Sequence, residues 1–171
     1  MNSEKALQAA IRASSLHTSL MLVSKVLTRT GYGDISILDR REPKQKSRLG
    51  GCELLCHTSI GGVSIKVVIK VIKDSIRVRM LDEMAGAIDR TKSDFGMIVS
   101  TELLSMKAQA TKEEYQKSRV EVIDLSLLCQ MLSKFRIGVR PNGEPDYAFL
   151  AELEEQLDRV NHFLSYERFA R

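Results

Sequence analysis

The sequence predicts an α/β domain in which a mixed sheet carries helices on its faces. Three observations lead there. Residues 63–72 alternate along a strand, with Ile65, Val67, Ile69 and Val71 pointing one way and Ser64, Lys66, Val68 and Lys70 the other. Leu16, Leu20, Val23 and Leu27 recur at steps of four, three and four, the spacing of one helix face. The predicted elements run helix, three strands, helix, strand, helix, strand, helix, which is the order of a sheet covered by connecting helices.

Residues 1–32 hold Lys5, Arg12, Lys25 and Arg29, many Ser and Thr, and Glu4 as the sole acid. That composition suits an organelle presequence as well as a structural helix. The helix is the preferred reading because apolar residues continue in register into Gly31. Residues 33–39 read as a short strand. The basic stretch Arg40-Arg41-Glu42-Pro43-Lys44-Gln45-Lys46-Ser47-Arg48 is too polar to pack. Gly50-Gly51 lets the chain re-enter a strand over Cys52 to Thr58, and Gly61-Gly62 turns it into Val63 to Ile72, a hairpin-like unit.

Met80, Leu81, Met84, Ala85 and Ile88 predict a helix whose Ala85-Gly86-Ala87 permits close approach to a sheet. Phe95 to Ser100 is a compact apolar strand, 103–118 a helix polar on one side, Val120 to Leu125 a strand and Leu127 to Phe135 a short helix. Pro141-Asn142-Gly143-Glu144-Pro145 reads as a linker between a domain over 1–140 and an amphipathic helix over 146–171. In that helix Leu150, Leu153, Leu157, Val160 and Leu164 repeat at three, four, three and four, a heptad seam. Docking on its own domain, a homo-oligomer and a different protein partner through residues 146–170 all remain open.

At 171 residues the chain fits one domain with an appendage. A chain of about this length hides roughly 70% of its unfolded surface, enough for a core without staples. Cys52, Cys56 and Cys129 form no CxxC pair and are odd in number. They read as reduced thiols of an intracellular protein, cytoplasmic or nucleoid, with organelle targeting left open. No apolar run approaches the ~20 residues of a membrane-spanning helix, so no membrane partner is expected. Walker, GxSxG, HExxH and zinc-ligand spacings are absent from the sequence.

The net charge of +4 permits a polyanionic partner. Arg40, Arg41, Lys44, Lys46 and Arg48, with Lys66, Lys70, Lys73, Arg77 and Arg79, are candidates for a phosphate-contacting surface whose affinity would fall with salt. With aromatics at 5% and none among these basic residues, a base-stacking platform is not expected. Asp82, Glu83 and Asp89 read as the charged outer face of their helix, and the seven methionines as core filling.

Over roughly residues 16–132 the chain resembles the Mrr-type branch of the restriction-endonuclease-like nucleases. The resemblance rests on a first helix ending in Gly31-Tyr32, and on Gly50-Gly51-Cys52-Glu53-Leu54 where the family has Gly-Gly-hydrophobic-Asp-Leu. It continues through Val68-Ile69-Lys70, Met84-Ala85-Gly86-Ala87-Ile88, Phe95-Gly96-Met97-Ile98-Val99-Ser100-Thr101 and Val122-Ile123-Asp124-Leu125 with Leu128. It implies a restriction-endonuclease-like mixed sheet flanked by helices and metal-dependent cleavage of duplex DNA. The family site has an acid on the second strand and an acid or Gln two residues before a Lys on the third, with a Glu from the first helix often helping. Such carboxylates hold Mg2+, which stabilises charge on the phosphate and lowers the pKa of an attacking water.

Carried over by position, the resemblance puts the metal-binding acid at Glu53 and the catalytic lysine at Lys70. Lys73 competes for the lysine role but falls on the opposite, apolar face of its strand. Val68 stands at the acid-or-Gln position and Leu20 near the helix-Glu position, and neither can bind a cation. Asp34 or Asp39 would supply a further ligand if the first strand lay beside Glu53, and His57 shares the face of Glu53. The expectation is a nucleic-acid-binding or assembly subunit, a pseudoenzyme with a degenerate metal site. The alternative is an active Mrr-type endonuclease using Glu53 and Lys70 with Mg2+.

Overall fold

The computed structural model describes residues 3–37, 52–104 and 119–156. The Gly61-Gly62 turn, with both φ angles positive (58° and 83°), folds β2 (Cys52–Ile60) onto β3 (Val63–Ile72) as an antiparallel hairpin. β1 (Gly33–Ile37) adds antiparallel to the outer edge of β2. On the other side, β4 (Phe95–Ser100) and β5 (Val120–Ile123) run parallel to β3, completing a sheet ordered β1-β2-β3-β4-β5. Parallel neighbours need a long crossover; between β3 and β4 it is the helix α3 (Val78–Thr91).

Two apolar layers sandwich the sheet. On one face Val67, Ile69, Val71, Met97, Val99 and Ile123 meet α1 (Ser3–Ala13), α2 (Leu16–Arg29) and α4 (Leu125–Phe135). On the other, Val68, Ile72, Ile98, Val120 and Val122 meet Met80, Met84 and Ile88 of α3. β3 is therefore covered on both sides, and its last six residues are buried. A central strand with parallel neighbours is expected to read this way, so the lysine-bearing face is also a core face.

The single N-terminal helix expected from the sequence is two helices. The chain breaks after Ala13, and Ser15 caps α2 by accepting a hydrogen bond from the Thr18 amide at 3.1 Å. The orphan carbonyls at the end of α1 accept from Lys73, whose ammonium donates to the Ile11, Arg12 and Ser14 oxygens. The close approach of α3 to the sheet also has a different origin from the expected one. A Cβ on Gly96 of β4 would lie 2.8 Å from Met84 Cγ, whereas one on Gly86 would meet only Arg90, at 3.6 Å. The glycine that lets helix and sheet meet is in the strand.

β5 ends two residues before the expected Leu125. Asp124 leaves the strand to cap α4, accepting from the Leu127 amide at 3.0 Å. Residues 141–145 form a tight turn: Val139 bridges Pro145, and the Gly143 amide donates to the Arg140 carbonyl at 2.9 Å. A helix follows, described over 147–156, and its Leu150 and Leu153 enter the first core layer. The helix expected over 103–118 lies almost wholly outside the described residues, as do the basic stretch 40–48 and the later seam positions Leu157, Val160 and Leu164. Among the described residues no helix is long and apolar enough to cross a membrane. Burial pushes the Cys56 thiol up to about 11 and the Cys129 thiol up to about 12, so both stay protonated at neutral pH.

Candidate functional site

The hairpin register pairs Glu53 with Lys70, Leu55 with Val68 and His57 with Lys66. Val68 packs under α3, so the alternation of β3 puts Lys70 on the α3 side of the sheet. Lys70 is only 6% exposed. A buried ammonium is costly unless it is paired. α3 supplies one: Glu83 Oε2 lies 3.9 Å from Lys70 Nζ, ion-pair rather than hydrogen-bond distance. The other carboxylate oxygen, Oε1, accepts from Arg79 Nε at 3.1 Å, one helical turn back.

Glu83 is the residue that sequence reasoning missed. Read as part of a solvent-facing charged face, it is one-third exposed and turned toward the lysine. Helical spacing carries a signal for it: Glu83 adjoins the buried Met84 and lies three residues after Met80, at the border of the apolar stripe.

The other expected site residues are dispersed. Val68 is fully buried and Leu20 is 5% exposed, in the core layer on the far side of the sheet from Lys70. β1 does lie beside β2, but Asp34 falls between Gly33, opposite His57, and Ser36, opposite Leu55. At ~3.4 Å per residue that is roughly 10 Å along the strand from the register position of Glu53. Asp39 is outside the described residues. His57 sits four residues along β2 from Glu53, about 13 Å by the same rise, with its Nδ1 buried and without a hydrogen-bond partner.

The described basic residues are drawn to different partners. Lys66 donates to the Thr91 carbonyl at 2.6 Å, closing the end of α3, and its amide donates to Asp94 Oδ2 at 2.8 Å. Lys73 is spent on the end of α1, and burial lowers its pKa. Helix C-termini carry partial negative charge and draw in the nearest lysines, a competition invisible to charge counting. Arg77 and Arg79 are exposed near the Lys70 end, paired with Asp74 at 2.9 Å and Glu83 at 3.1 Å. Arg40, Arg41, Lys44, Lys46 and Arg48 lie outside the described residues.

An antiparallel hairpin with an acid in register opposite a buried lysine, extended by two parallel strands, defines a protein of the restriction-endonuclease-like class. The restriction endonuclease family model Mrr_cat matches residues 11–132, and the chain belongs to that family. Among solved structures it is similar to the DNA modification-dependent restriction endonuclease AspBHI, at 14% identity and a TM-score of 0.56, covering 91% of this chain and 41% of that one. It is also similar to the MspJI restriction endonuclease in complex with a 27-mer oligonucleotide, at 17% identity and a TM-score of 0.42, covering 80% of this chain and 31% of that one. The chain thus spans less than half the length of either structure, and at 14% identity the likeness to AspBHI is one of fold. No curated protein matches it.

Restriction endonuclease domains typically use Mg2+, which needs well-placed carboxylates and substrate oxygens. The described donors do not fit that ion as the family pattern would hold it. Val68 offers no oxygen, Glu83 is engaged by two cations, and among the described residues no three His, Cys, Asp or Glu side chains are grouped to hold a metal.

Proposed function

We propose that the chain is a nucleic-acid-binding or assembly subunit on an Mrr-like fold, one that binds duplex DNA through phosphate contacts and does not cut it. One observation carries the reading: the ligand position is a fully buried valine, and the lysine's counter-charge comes from Glu83 on α3. Family membership, the net charge of +4 and the exposed Arg77 and Arg79 support a DNA partner. So does the basic stretch Arg40–Arg48, which leads into β2 at the end where Glu53 pairs with Lys70. Leu150 and Leu153 are used in the chain's own core, and the later positions of the same seam, Leu157, Val160 and Leu164, are the ones assigned here to a second copy or protein partner.

The test is incubation of the purified protein with duplex DNA in Mg2+ and in Mn2+, alongside binding across a salt series. No cleavage in either metal, with binding that weakens as salt rises, is the expected result. The second reading, an active endonuclease, is favoured by the register that sets Glu53 opposite Lys70. Metal-dependent cleavage abolished by Glu53→Ala and by Lys70→Ala would replace the first reading with the second.

A further inference from the structure

Lys70, Glu83 and Arg79 form a chain of charges that runs outward from the core. The side-chain exposures are 8% for Lys70, 34% for Glu83 and 74% for Arg79. The carboxylate thus lies on the solvent side of the lysine and joins it to the arginine, one oxygen to each. Two oxygens shared between a lysine and an arginine is also how a phosphodiester's non-bridging oxygens are held. The pairing is secured from both ends. Lys70 is buried, with Glu83 as the anion beside it, and Arg79 braces Glu83 one helical turn away. Val68 leaves no strand-borne acid two residues before the lysine to do this instead.

We propose that Glu83 is an internal phosphate mimic: its carboxylate occupies the oxyanion position between Lys70 and Arg79 and keeps both cations from nucleic-acid backbone. This deepens the duplex-binding reading given above and rests on it. The family's lysine is present but silenced, and the affinity of the chain for DNA is set by residue 83.

The experiment compares wild type, Glu83→Gln, Asp89→Asn and the double variant Lys70→Met/Glu83→Gln by fluorescence anisotropy on a random-sequence duplex across a salt series. Asp89→Asn is the charge control, since Asp89 is on the same helix, 80% exposed, and neutralises Arg119 at 3.8 Å. Glu83→Gln is expected to bind about three- to tenfold tighter, with a salt slope steeper by about 1 for each additional phosphate neutralised. Asp89→Asn should tighten binding less, and the double variant should return close to wild type. A tightening in Glu83→Gln no larger than in Asp89→Asn, or one that survives in the double variant, overturns the proposal. Should Glu83→Gln fail to fold, Glu83→Asp retracts the carboxylate by one methylene and must show a smaller effect of the same sign; no effect overturns it equally. Inorganic phosphate separates the inference from the reading beneath it. If no variant binds DNA but phosphate raises the melting temperature of Glu83→Gln and not of wild type or the double variant, the oxyanion site stands and the duplex-binding reading falls. If phosphate stabilises none of them, the site falls too.

Discussion

Returning an acid to the strand by Val68→Glu asks whether the family site can be restored by one residue. Val68 is fully buried among Ile72, Met84 and Ile98, and Gly96 is its register partner on β4. Losing the buried valine forfeits about 1.5–3 kcal/mol. The new carboxylate would share a face with Lys70, ~7 Å along the strand, but that lysine is already paired with Glu83. A buried charge without its own partner costs about 3–5 kcal/mol. With part of this recovered through Lys70, a net loss of about 3–5 kcal/mol is expected, a fall of roughly 6–20 °C in Tm for a chain of this size. Burial raises the folded pKa of the new carboxyl above its unfolded value. The charged form is then the destabilising one, so the loss is full at neutral pH and shrinks as pH falls toward the unfolded pKa of about 4.3. Urea and thermal melts at two pH values measure it, with a Mn2+ cleavage assay run in parallel. A Val68→Glu protein within about 1 kcal/mol of wild type that cuts DNA would show position 68 to be an open site and not a core position.

Gly96→Ala sets a methyl 2.8 Å from Met84 Cγ and should cost about 1–3 kcal/mol, whereas Gly86→Ala meets only Arg90 and should be neutral or stabilising by up to about 1 kcal/mol; denaturant melts that rank the two the other way would contradict the packing. Asp124→Ala removes the cap of α4 and should cost about 0.5–2 kcal/mol, read as a lower urea midpoint with an unchanged m-value. Glu154 accepts hydrogen bonds from Thr18 and Ser15, which hold its carboxyl below the ordinary range. A carboxyl with a depressed folded pKa stabilises above its unfolded value and loses that contribution as pH falls through the folded one. Amide protection factors over 147–156, which correct for the intrinsic pH dependence of exchange, should therefore fall on acidification below about 4.5 in wild type and show less pH dependence in Glu154→Gln, and identical profiles would disprove the latch.

Much of the fold is legible where a single period dominates. β3 and β4 have the bounds the sequence predicts, because alternation after the Gly61-Gly62 turn marks the one and a compact apolar run marks the other. The errors sit at polar residues with two possible uses. Ser15 and Asp124 act as caps, which periodicity does not reveal, so two helices read as one and β5 reads too long. For the candidate site, the opposition of positions 53 and 70 follows from alternation and a two-residue turn. The partner of Lys70 does not, because Glu83 is thirteen residues further along the chain, and only the packing of α3 on the sheet brings it within 3.9 Å.

Residue identity and local spacing suffice for the class of fold and the family, and a valine two residues before Lys70 cannot bind a cation wherever it sits. How the basic residues are used is a matter of tertiary structure alone. Lys66 and Lys73 close the ends of helices that are distant in sequence, and Lys70 is neutralised by an acid on the crossover helix. A buried or half-buried cation takes the nearest anion or carbonyl that folding presents, and which one that is depends on how α1 and α3 dock against the two faces of the sheet.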